Sequence, residues 1–71
     1  MTFKVGDRVK IIKGGSGYPE SGIVKIIGIH QEYHGDYYDF VVVDGAQKGS
    51  IYEGAAEKRF KKIGDIQVTI K

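Results

Sequence analysis

The chemistry available to this 71-residue chain rests on cations, phenols and two histidines, because it contains no cysteine. Arg8, Lys10, Lys13 and Lys25 lie in its first part, and Lys58, Arg59, Lys61 and Lys62 in its last. Such a set can hold a polyanion, since each neutralised phosphate releases condensed counterions. The same residues also suit a plain solvated face that guards a sheet edge. Between Lys25 and Lys48 there is no Lys or Arg, while Glu32, Asp36, Asp39 and Asp44 fall there. The order is therefore basic, acidic, basic at a net charge of +2, and a fold that joins the two ends would gather the cations on one side.

Five tyrosines accompany these charges. An exposed phenol beside charged groups can stack a base or pack against a peptide. Tyr18-Pro19 in a loop and Tyr33-His34 in a hairpin are the pairs expected at the surface, and Tyr18, Glu32, Tyr33, His34, Asp36 and Tyr37 form the candidate contact set for a partner. Tyr38, Phe40 and Tyr52 are expected to pack internally.

Other arrangements carry less. His30 and His34 have the four-residue spacing of metal ligands on a helix, but on a strand ending in a turn they need not share a face, so no metal site is assigned. Gly14-Gly15-Ser16-Gly17 lacks the Lys-Ser/Thr and the following helix of a phosphate-binding loop. Ser16, Ser21 and Ser50 have neither a nucleophile elbow nor an evident base. The expectation is a chain with no catalytic residue and no cofactor, hence no enzyme.

The elements that must position these residues read as strands. Val9 and Ile11 alternate with Arg8 and Lys10 in a strand running to Lys13. Residues 14–22 collect glycines, serines and the single proline in a surface loop. A β-branched run over Ile23–Gln31 predicts a long strand with a bulge at Gly28. Glu32–Asp36 should connect it to a strand over Tyr37–Val43, where propensity is strongest. Asp44-Gly45 suits a type I′ turn into a return strand over Lys48–Tyr52. Glu53–Lys58 suits one 3₁₀ turn, Arg59–Ile63 a last strand with Phe60 inward, and Ile66–Ile70 an added edge strand or a tail. No apolar run approaches the length of a membrane span, and the N-terminal residues have no signal-peptide character. The expectation is a soluble, cytoplasmic, single-domain protein over residues 1–71.

Several short strands joined by tight turns predict an all-β barrel or a bent sheet. Within that class Gly6-Asp7-Arg8-Val9-Lys10-Ile11-Ile12, the Tyr18-Pro19 loop, Gly22-Ile23-Val24, Val43-Asp44-Gly45 and Tyr52-Glu53 followed by Phe60-Lys61-Lys62-Ile63 resemble SH3-like small barrels. The similarity is to the KOW-type modules of ribosomal proteins and elongation factors, and equally to small bacterial and phage proteins. The resemblance covers roughly residues 3–63 and implies a five-stranded barrel with one 3₁₀ turn, residues 64–71 adding a strand or tail. It also implies a binding module. Because the net charge is small and the middle acidic, the first expectation is protein–protein interaction, including modulation of a host protein by a phage- or mobile-element-encoded chain. The alternatives are RNA or DNA binding through the basic strands and a structural subunit of a larger assembly.

Overall fold

The computed structural model describes residues 2–63. Alternation of apolar and charged residues produces strands with one buried face. β1 (Arg8–Ile11) buries Val9 and Ile11 and exposes Arg8 and Lys10. β2 (Ile23–Glu32) and β3 (Gly35–Asp44) are the long strands, and β4 covers Ile51–Ala56. A 3₁₀ turn over Glu57–Arg59 leads into β5 (Phe60–Lys62). All pairings are antiparallel in the order β4-β3-β2-β1-β5. The chain meanders through β1 to β4 and then returns to lay β5 beside β1.

One face of this sheet wraps a core of Phe3, Val9, Ile11, Val24, Ile26, Tyr38, Phe40, Val42, Ala55 and Phe60. Burial of each large side chain contributes about 1.5–3 kcal/mol, the main term available to so short a chain. The aromatic members meet edge to face, with Phe3–Tyr38 and Phe40–Phe60 centroids both 5.3 Å apart. The sheet bends to enclose them because its register shifts. Ile26 faces Phe40 and Gly28 faces Asp39, so Ile27 is an extra residue that turns outward. Glycine suits that position, since a Cβ would stand 2.7 Å from Asp39 Oδ2 and the aspartate side chain would have to give way.

The all-β class, the five strands, the 3₁₀ turn and the bulge at Gly28 agree with the sequence reading. Closure of the barrel does not: β4 and β5 are the two edges of an open sheet, joined in sequence by the 3₁₀ turn. β5 has only three residues and is occupied in pairing with β1.

Three connections also differ. β1 stops at Ile11 rather than Lys13. The Asp44-Gly45 pair does not make a two-residue turn; Gly49 N donates to Val42 O at 2.8 Å and Val42 N to Ser50 O at 2.9 Å, closing a wider loop that delays β4 to Ile51. The positive-φ pair of a type I′ turn is instead Ser16-Gly17, at φ 55° and 90°, between Gly15 and Tyr18, which exchange backbone hydrogen bonds. β4 also absorbs Glu53–Ala56, expected in the 3₁₀ turn, because Ala55 and Ala56 pair with Tyr38 and Tyr37. The suggested strand over Ile66–Ile70 lies outside the described residues.

Candidate functional site

Pairing decides which cations meet. Arg8 lies opposite Lys25 and Lys10 opposite Lys61, which places these four side chains on the solvent face of β2, β1 and β5. All four are exposed, and none forms an ion pair with another described residue. Adjacent strands stand about 4.8 Å apart and alternate residues of one strand about 6.7 Å, so the positive charges occupy one compact patch. The two basic ends of the sequence thus converge through the return of β5 to β1.

The other predicted cations are dispersed. Lys62 lies opposite Val9 and shares a small concavity with Asp7 and Arg8. Lys13 is exposed in the loop after β1. Lys58 sits on the 3₁₀ turn, beside the β2–β3 hairpin. Arg59 is a structural clamp: its guanidinium donates to the carbonyl of Gly14 at 2.9 Å and to those of Lys13 and Gly15 at 3.3 Å, and lies 4.5 Å from the Tyr18 ring centroid. Such a cation–π contact adds about 0.5–1 kcal/mol near a surface.

Tyr18, expected at the surface, is half-buried beneath that clamp. Its ring packs 6.0 Å from Tyr52 and 6.2 Å from Phe40, and its hydroxyl donates to the Glu53 carbonyl at 2.7 Å. Tyr18 therefore fastens the glycine-rich loop to β4. In the hairpin, by contrast, Tyr33 is 97% exposed and meets His34 edge to face at 5.3 Å, in a two-residue connection between Glu32 and Gly35. Glu32 is exposed, while Asp36 and Tyr37 are half-buried. His34, Asp36 and Tyr37 line one side of a cleft of about 390 Å³, with Ala56, Glu57 and Lys58 on the other. The predicted contact set thus resolves into a projecting tip and the wall of a cleft, and Tyr18 belongs to neither.

Two polar constellations escaped the sequence reading. Asp39 Oδ2 lies 2.8 Å from His30 Nε2, and Oδ1 accepts from Gly54 N at 3.0 Å, so one carboxylate links the bulges of β2 and β4. A glycine facing an aspartate was its only signal. Glu57 accepts from the Tyr38 hydroxyl at 2.9 Å and from the Thr2 hydroxyl. The bond from Thr2, then that from Tyr38, holds the Glu57 carboxyl below the ordinary carboxylate value. Burial, then the bond to Glu57, raises the Tyr38 phenol above its own.

Among the described residues no three His, Cys, Asp or Glu side chains are grouped to hold a metal ion, and His30 is engaged by Asp39 while His34 packs on Tyr33. Among the same residues no helix is long and apolar enough to cross a membrane. The arrangement can attract anions at the sheet face and offer an aromatic tip for contact. Compared with protein-family models, with curated proteins and with solved structures, the chain matches none.

Proposed function

We propose that this chain is a non-catalytic binding module with the strand arrangement of an SH3-like fold, left open between β4 and β5, whose β2-β1-β5 face binds the phosphate backbone of a nucleic acid. The fold assignment is supported by the four-strand meander, the return of β5 to β1 and the 3₁₀ turn between β4 and β5. The binding assignment rests on one observation: Arg8, Lys10, Lys25 and Lys61 are neighbours on one face, and among the described residues no acidic side chain is paired to them. Attraction of this kind is driven by counterion release and carries a measurable salt signature.

Fluorescence anisotropy with a labelled oligonucleotide, repeated over a range of salt, tests this. For about four phosphate contacts, log K should fall against log[salt] with a slope near −3, and Lys10→Gln with Lys61→Gln should bring it to about −1.5. Lys58→Gln, away from the face, should leave it unchanged. Absence of binding at low salt, or a slope indifferent to the double substitution, refutes the proposal.

A second reading, protein contact through the hairpin, is favoured by the exposure of Tyr33, because a phenol whose one ring contact among the described residues is His34 has apolar area to bury in a partner. It requires that a co-purifying protein be lost with Tyr33→Ala and retained with the Lys10/Lys61 double substitution; retention in both refutes it.

A further inference from the structure

On the reading that this face binds nucleic acid, we infer that its ligand is a single strand with unpaired bases and not a duplex. The cations occupy only half of the solvent face. Across the sheet Arg8 pairs with Lys25, Lys25 with Val41 and Val41 with Ile51, one residue from each of β1, β2, β3 and β4. At about 4.8 Å per strand this row runs roughly 14 Å from a guanidinium root to an aliphatic one. Ile51 is 63% exposed. The neighbouring row passes from Lys61 through Lys10 and Ile23 to the exposed Asp44, so it turns acidic at β3. In the Arg8 row a basic half and an aliphatic half meet along the middle of the sheet.

A single strand is divided in the same way, with phosphates along one side and the apolar faces of its bases along the other. Phosphates over Lys25, Arg8, Lys10 and Lys61 would leave the bases above Val41 and Ile51, where contact removes apolar surface from water. A duplex turns its phosphates outward and keeps its bases stacked inside. Laid across the face, it would press charged backbone onto Val41 and Ile51, losing hydration with no positive charge to replace it. The aliphatic half therefore contributes to binding one form and opposes the other. With no aromatic side chain in either row, base contact should tolerate sequence.

The test uses the full chain in anisotropy titrations at matched low salt, with a labelled oligothymidylate and a mixed-sequence duplex of the same length, and polyglutamate as a competitor. The single strand is expected to bind at least tenfold more tightly than the duplex. Ile51→Ser, at an exposed site whose folding is checked by its urea midpoint, should weaken single-strand binding about fivefold, leaving its salt slope and the duplex affinity unchanged. Equal or tighter duplex binding overturns the inference while leaving backbone binding intact. So does an Ile51→Ser variant that weakens both forms alike or neither. Displacement by polyglutamate as effective per charge as by oligothymidylate assigns the face to an acidic protein segment and overturns it as well. Failure to bind either form removes the underlying proposal and this inference together.

Discussion

Glu57 offers the sharpest test of how this small core is held. Tyr38 is fully buried, yet its hydroxyl reaches Glu57 Oε1 at 2.9 Å, and Thr2 donates to the other oxygen. Both bonds favour the charged carboxylate, so its pKa in the folded chain lies below the unfolded value of about 4.3. A group depressed on folding adds stability that is present above the unfolded pKa and disappears as pH falls through the folded one. Glu57→Gln keeps an acceptor but removes the charge. The difference between a charged and a neutral hydrogen bond, reduced for partial hydration of this site, gives a loss of about 1 kcal/mol at neutral pH. Tyr38→Phe keeps the ring in the core and deletes the donor, also at about 1 kcal/mol, because the freed carboxylate oxygen can be rehydrated. With a denaturant slope of about 1 kcal/mol/M, each substitution should lower the urea midpoint by about 1 M at neutral pH. At an acidic pH below the depressed folded value, where the parent carboxyl is itself protonated, the gap between Glu57→Gln and the parent chain should close. The double variant should lose less than the two single losses combined, since both remove one interaction. A Glu57→Gln deficit of the same size at both pH values, or an unchanged midpoint for Tyr38→Phe, would refute the assignment of this bond as charge-assisted.

Two glycine substitutions should differ in severity, measured by the same urea midpoints. A Cβ at Gly14 would stand 2.5 Å from Glu20 Cα and 2.6 Å from the Pro19 carbonyl, both backbone atoms, so Gly14→Ala should cost more than about 2 kcal/mol. At Gly28 the obstacle is the end of the Asp39 side chain; Gly28→Ala should cost about 1 kcal/mol, and less when Asp39→Ala has already removed the obstacle. Arg59→Lys retains charge but not the planar guanidinium that lies over Tyr18 and directs Nη1 at the loop carbonyls, so amide exchange at Gly15 and Tyr18 should accelerate while the salt slope for oligonucleotide binding stays the same. Tyr33→Ala should leave the folding free energy read from the urea midpoint within about 0.5 kcal/mol of the parent, because the ring adds nothing to the core.

Local sequence determined the strands that alternate or concentrate β-branched residues. Val9 and Ile11 against Arg8 and Lys10, the Ile23–Glu32 run and the inward Phe60 were legible because period-2 burial is written directly into residue order. Gly28 was legible as a bulge for the same reason, a residue without side chain in an otherwise bulky strand. The Asp44-Gly45 turn was misread because its hydrogen bonds run from Val42 to Gly49 and Ser50, a closure that dipeptide preference does not encode. Glu53–Ala56 was misread because β3 offered it a pairing edge, which outweighs weak local helical preference.

Of the candidate site, the sequence by itself determined the residue types and their basic–acidic–basic order. The tertiary structure alone decided which of them are neighbours. Lys10 and Lys61 are far apart in the chain and meet only because β5 returns to β1, whereas Arg59, two residues from Lys61, is drawn away to hold the loop around Tyr18. The meeting of Lys25 with Val41 and Ile51 is equally a matter of register, set by bulges and by core packing on the opposite face. Charge and polarity are properties of single residues, but a binding face is a property of pairing.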